Sequence, residues 1–376
     1  MQFTSKRIAV LSPVAWRTPP RQYGAWETVA SNITEGLVRR GWDVTLFATA
    51  DSVTSARLHA VVPHGYEEDP TLEPKVVEAL HISELMENAH KFDLIHNNYD
   101  FMPLTYSRHI STPMLTTIHG FSSPKILDVY RKYKDLYYVS ISDSDRDPHL
   151  PYLATVYNGI DLANLTFTPE PGDYLVWLGR IHPDKGTHLA VEVALRTDKK
   201  LKLAGIVQDR EYFEEMVKPN VDGKQIEYIG PVGPLERDEL FKEAFCLLHL
   251  NELPERFGLV MAEANAAGVP VIAYDRGSCR EVISDGETGY LVGNVDQAVE
   301  AVGKVSKINR RACRKRVEEN FSIKCMVSEY EKVYWRIFEL ERLKTRKSVI
   351  KPHMEKIQEL KETAIETQTY RRTVRE

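Results

Sequence analysis

Residues 164–178 read Asn-Leu-Thr-Phe-Thr-Pro-Glu-Pro-Gly-Asp-Tyr-Leu-Val-Trp-Leu. Pro169, Pro171 and Gly172 fall within four residues and break any regular element, since proline offers no amide and glycine little restraint. Tyr174–Leu178 then forms an apolar run with the length of a buried strand. From there the pattern alternates. Helical spacing covers Thr187–Thr197, strand-like runs cover Leu201–Ala204, Ile226–Ile229 and Ala244–Leu250, a helix follows Phe257, and Pro270–Tyr274 is again a strand. The same alternation precedes the break. Arg7–Ser12 is a strand, Glu27–Arg40 a helix and Val44–Ala48 a strand, with further short apolar runs at Leu94–His96, Met114–Ile118 and Tyr137–Ile141. The expected fold class is therefore α/β, with two Rossmann-like doubly wound domains facing a cleft, over residues 1–165 and 166–322.

Composition agrees with two cores of this size. The chain has 376 residues, 43% hydrophobic and 27% charged, with net charge −5. No global positive field is available for nucleic acid. Cys246, Cys279, Cys313 and Cys325 are too widely spaced for a metal or redox motif, which favours a reducing, cytoplasmic compartment. Pro13 and Arg17 cut the run Ile8–Leu11 short of a secretory core. The longest apolar stretch, Phe257–Tyr274, contains Glu263 and Asn265 and is interrupted by Gly268 and Pro270, so it does not read as a membrane span. Helical spacing returns at Met326, Tyr330, Val333, Tyr334, Ile337 and Phe338, and residues 323–343 are expected to cross back onto the first domain. From Glu341 onward there are ten basic and six acidic residues. The tail, residues 344–376, reads as a solvated charged segment; homo-oligomer contact through it, or peripheral contact with anionic lipid at the inner face of a membrane, stays open.

The densest chemical signal is Glu255-Arg256-Phe257-Gly258-Leu259-Val260-Met261-Ala262-Glu263. This strand-to-helix loop belongs at the carboxyl edge of a parallel sheet, where ligands bind. The amides of Phe257, Gly258, Leu259 and Val260 begin the helix and suit a phosphate. Taken alone, Glu255 and Glu263 read more often as a helix-start charge and a solvated face than as site residues; their place at this loop favours the site. Gly179-Arg180-Ile181-His182-Pro183-Asp184-Lys185-Gly186 follows another strand, and Arg180 and Lys185 suit a diphosphate clamp. Gly24 lies in the first turn, which is too long and proline-rich for a dinucleotide motif. His119 follows the run Met114–Ile118 and has an ordinary packing role as its alternative. Asp143-Ser144-Asp145 resembles a D-x-D metal motif superficially, but turn and capping chemistry suffices. No other cluster has metal spacing.

At these residues the chain resembles the retaining family 4 glycosyltransferases (glycosyl transferases group 1), which have the GT-B fold. The resemblance spans roughly residues 6–340. It is carried by Gly24-Ala25-Trp26-Glu27, Thr117-Ile118-His119-Gly120, Tyr157-Asn158-Gly159-Ile160-Asp161, the Arg180/Lys185 loop, Glu255–Glu263 and Gly286–Leu291. Ala25 departs from it, standing where the family has a second glycine.

The resemblance implies a retaining hexosyl transfer from a nucleotide-sugar donor without a metal or other cofactor. The implied catalytic set is Arg180, Lys185, Glu255 and His119. Gly24, Phe257, Gly258, Leu259, Val260 and Glu263 are the implied donor-binding residues, with Glu263 on the ribose and Glu255 on sugar hydroxyls. A UDP-hexose is preferred, with GDP-mannose the other donor the motifs serve. The acceptor is a hydroxyl of a small molecule, glycan or glycolipid; Tyr23, Trp26, Tyr99, Phe101 and Tyr106 read equally as aromatics that stack on it and as core or loop-packing residues. A sugar-nucleotide epimerase of the same fold and a catalytically inactive nucleotide-sugar binding protein are the competing readings.

Overall fold

The computed structural model describes residues 6–22, 24–121 and 123–345. Their backbone forms two parallel sheets. The first contains β1 (Arg7–Leu11), β2 (Asp43–Phe47), β3 (Arg57–His59), β4 (Leu94–Asn97), β5 (Met114–Ile118), β6 (Tyr137–Ser140) and β7 (Tyr152–Thr155), in the order β3-β2-β1-β4-β5-β6-β7. The second contains β8 (Tyr174–Leu178), β9 (Lys200–Ala204), β10 (Ile226–Gly230), β11 (Ala244–His249), β12 (Val271–Tyr274) and β13 (Gly289–Val292), in the order β10-β9-β8-β11-β12-β13. The two-Rossmann α/β fold is thus present.

Period-two side-chain alternation explains why the second sheet is covered on both faces. Tyr174 and Val176 of β8 enter one apolar core with Leu247, Val271 and Ala273. Leu175 and Trp177 enter the other with Leu248, Ile272 and Tyr274. Three strands escape the apolar-run reading. β3 and β7 are edge strands without a fully buried residue, and β13 begins at a glycine and is half-buried at its centre.

Each sheet reverses its strand order once. Sequence order turns back between β1 and β4 in the first sheet and between β8 and β11 in the second. Loops leaving these central strands diverge to opposite sides and open a crevice at the carboxyl edge. The loops after β8 and β11 carry Arg180, Lys185 and Glu255, so strand order alone brings these distant residues together.

The chain passes between the sheets twice, and the passages touch. Ile160 donates its amide to the carbonyl of Phe321 at 2.7 Å, and Ile323 donates to the carbonyl of Ile160 at 3.2 Å. A helix starts at residue 323. Its first two turns meet first-sheet residues, with Arg40 donating to Ser328 Oγ at 2.7 Å and the Tyr330 hydroxyl 2.8 Å from Thr117 Oγ1. The chain divides after Tyr330 into two compact units, and both sheets belong to the first. Within the second, residues 331–345 are helical and the Trp335 and Phe338 rings meet edge-on. The charged tail from residue 346 and Tyr23 lie outside the described residues. Among the described residues no helix is long and apolar enough to cross a membrane.

Candidate functional site

A cleft of about 310 Å³ lies between the carboxyl edges of the two sheets. Gly24, Trp26 and His119 line it from the first sheet; Arg180, Lys185, Glu255, Glu263 and the segment Phe257–Val260 line it from the second. All ten expected site residues therefore border one space.

Glu255 is the most heavily bonded of them. Its Oε2 accepts from Lys185 Nζ at 3.2 Å, His249 Nε2 at 3.1 Å and Asn251 Nδ2 at 2.5 Å, and its Oε1 accepts the Arg256 amide at 3.0 Å. Burial by itself would raise the carboxyl pKa, but the His249 hydrogen bond and the Lys185 charge outweigh it and hold the group well below the usual carboxylate range. His249 ends β11 and Asn251 lies two residues beyond it. Neither stands out in the sequence, although polar residues at the end of a central strand signal such a role.

The loop after β8 is fixed independently. Gly186 lies in the left-handed region, and the Glu252 amide donates to the Asp184 carbonyl at 2.9 Å, stitching this loop to that of Glu255. Arg180 donates to Gln208 Oε1 and lies 3.7 Å from Asp184 Oδ2. Both cations thus rest on neutral or acidic partners, Gln208 and Asp184 for Arg180 and Glu255 for Lys185.

Gly258 caps the helix Leu259–Ala266 at φ +79°, the left-handed conformation that an L side chain adopts at a cost. A Cβ there would come within 2.3 Å of Met261 Cε and 3.1 Å of Glu255 Cγ. Gly258→Ala is expected to cost about 1–2 kcal/mol in a urea titration and to displace the Glu255 side chain. An unchanged midpoint would show that the turn tolerates a side chain. Farther along this helix, Glu263 receives Arg237 at 3.0 Å, a second partner that does not stand out in the sequence.

On the opposite wall, the buried His119 ring stacks on Trp26 at 5.5 Å and donates from Nε2 to Asn98 Oδ1 at 3.2 Å. Desolvation lowers its pKa to about 3, so the imidazole is neutral at pH 7. Of the other candidate stacking aromatics among the described residues, Tyr99 is buried in the first-sheet core and Phe101 and Tyr106 pack against that core, while Trp26 lines the cleft.

The Asp143–Asp145 turn does more than cap itself. The Arg146 amide donates locally to the Asp143 carbonyl at 3.4 Å, but the Asp143 side chain accepts from Thr155 on β7 and Asp145 forms an ion pair with Arg256, 111 positions away.

The family model described as "Glycosyl transferases group 1" matches residues 166–321, and that described as "Glycosyltransferase Family 4" matches residues 26–147. An uncharacterized glycosyltransferase of Methanocaldococcus jannaschii is 26% identical over 315 residues, covering 76% of this chain and 86% of that protein. A phosphatidyl-myo-inositol mannosyltransferase of Mycobacterium leprae is 26% identical over 232 residues, 57% of this chain and 60% of that protein. Among solved structures, Anabaena HepE in complex with UDP-glucose superposes with TM-score 0.67 at 16% identity, over 88% of this chain and all of that one.

Proposed function

Because the chain belongs to the group 1, family 4 glycosyltransferases, we propose that it moves a hexosyl group from a nucleoside-diphosphate sugar to an acceptor hydroxyl, with retention at the anomeric carbon. The observation that carries this reading is the convergence of two cations, a helix N-terminus and two carboxylates on one cleft. The Anabaena protein of the same fold was solved in complex with UDP-glucose, which favours a UDP-hexose here.

The chemistry follows from where charge develops. As the anomeric C–O bond breaks, the sugar gains oxocarbenium character and negative charge builds on the leaving diphosphate. Arg180, Lys185 and the first amides of Leu259–Ala266 stabilise that charge more than they stabilise the ground state, and this difference accelerates the reaction. These groups take the load that a divalent ion would otherwise take, so the proposed reaction is metal-independent. The acceptor oxygen attacks from the face that the diphosphate leaves, and its proton passes to a phosphate oxygen. Glu255, ionised and fixed by the donors around it, accepts hydrogen bonds from sugar hydroxyls. Glu263, held by Arg237, does the same for the ribose. Neutral His119, its Nε2–H committed to Asn98 Oδ1, presents a bare Nδ1 that accepts from a sugar hydroxyl without adding charge near the cationic centre.

A thermal-shift screen with UDP-glucose, UDP-N-acetylglucosamine and GDP-mannose tests this directly. A ligand at 100 times its Kd adds about 2.7 kcal/mol to the folded state, so one of the three is expected to raise the melting temperature by several degrees and to be turned over to free nucleotide. No shift and no turnover with any of them would sink the reading. Formation of an epimer without acceptor would replace it with isomerase chemistry.

A further inference from the structure

We propose that Arg256 is a positioning residue that registers the two walls of the cleft, holding the Glu255 loop against the His119 turn through Asp145. Its kinetic consequence rests on the glycosyltransferase reading; its structural consequence does not.

Arg256 lies between Glu255 and Phe257 but spends its side chain on the first sheet. Its guanidinium donates to Asp145 Oδ1. Its carbonyl accepts from Ser142 Oγ at 2.6 Å. Its methylenes run along Gly120, the neighbour of His119, where a Cβ would come within 3.0 Å of Arg256 Cγ. That close approach is open because residue 120 has no side chain. A second tie runs parallel to the first, since the Asp143 and Ser144 amides donate to the two carboxylate oxygens of Glu281 at 2.8 and 2.9 Å. Two consecutive turns of the first sheet are therefore gripped by second-sheet side chains.

The strength of the tie comes from Asp145. Its side chain is 1% exposed, and its Oδ2 has no hydrogen-bond partner among the described residues. A buried carboxylate with one cationic partner is badly placed once that partner leaves, because the uncompensated charge stays behind. Parting the walls removes Arg256 from Asp145, so the charge itself favours the joined arrangement. The same movement would draw Glu255 away from His119. Arg256 thus links the position of the donor-side carboxylate to that of the opposite histidine without being one of the groups proposed to hold the nucleotide, Arg180, Lys185, Glu263 and the first amides of Leu259–Ala266.

The test uses full-length Arg256→Ala, Arg256→Lys, Asp145→Asn and the Arg256→Ala/Asp145→Asn double variant. With UDP or GDP as probe, nucleotide Kd is expected to stay within about twofold of the parent, while kcat falls about 10-fold or more in Arg256→Ala and Asp145→Asn. The double variant should be no worse than the poorer single, and Arg256→Lys should recover part of the loss. Amide exchange across residues 117–121 and 142–146 should rise in Arg256→Ala. Independent, multiplying losses, or unchanged kcat with unchanged exchange, would overturn the proposal. A weakened nucleotide Kd with unchanged exchange would overturn it too, by making Arg256 a ligand contact. If the parent neither binds nor turns over any nucleotide sugar, the glycosyltransferase reading fails and the exchange result alone decides the tie.

Discussion

Glu255→Gln is expected to lower turnover of the accepted donor by roughly 10²–10³-fold, the scale seen when one preorganised polar group is lost from a water-excluded site. The substitution preserves shape and removes charge. Lys185, His249 and Asn251 all direct donors at Glu255 Oε2, and glutamine offers them either one neutral oxygen or a competing NH2. In the second orientation, donor faces donor and the side chain turns away. In the first, Lys185 loses its counter-charge and is free to pair more tightly with the diphosphate ground state, which gives binding without acceleration. A fall in kcat with KM unchanged or lowered is therefore expected, measured as nucleotide release with circular dichroism melts alongside to exclude unfolding. Turnover within threefold of the parent would remove Glu255 from the reaction.

Stability should fall steeply as pH drops from 6.5 toward 4.5. Burial lowers the pKa of His81 to about 4, and of His96 and His119 to about 3. Below pH 6.5 the unfolded chain takes up protons at these three positions while the folded chain does not, and stability is lost as pH falls. Glu27 acts in the opposite sense. Burial raises its pKa to about 7, so between pH 7 and 4.5 the folded state holds a proton that the unfolded chain releases. Asp145, also raised by burial, adds to this opposing effect at the acid end. Three protons against one leave a net two, or ~2.7 kcal/mol per pH unit. Urea midpoints at pH 7.5, 6 and 5 measure the slope, and a flat profile would mean that at least two of the histidines are not buried in solution. His96→Gln should flatten the profile by about one proton.

The residues legible in the sequence are those whose signal is local. Tyr174–Leu178 reads as a strand because its side chains find apolar cover on both faces, and the helix Thr187–Thr197 is delimited by spacing alone. Edge strands lack that signal. β7 does carry the short apolar run Tyr152–Ala154, but it is half-buried throughout and starts just after Pro151, so the run does not set it apart from loop packing. At the site, Glu255 and Arg180 stand out because each follows a strand in a glycine-containing loop. Arg237 and Arg256 do not, because their importance arises from partners 26 and 111 positions away. The Asp143–Asp145 turn shows the limit most clearly. Its local chemistry is readable from residue type and order, yet half of its bonds reach the opposite sheet.

The paired passages at Ile160 and Phe321–Ile323 bear on how such a chain can be recombined. The first-sheet module is not a contiguous segment: Thr117 and Arg40 find partners at Tyr330 and Ser328, after the whole second sheet has been completed. A chimaera spliced only at the proline-rich break near residue 169 would inherit one parent's module and the other parent's clasp. Acceptor preference should transfer more cleanly when residues 6–160 and 323–330 travel as one cassette, with the intervening donor half exchanged as an insert.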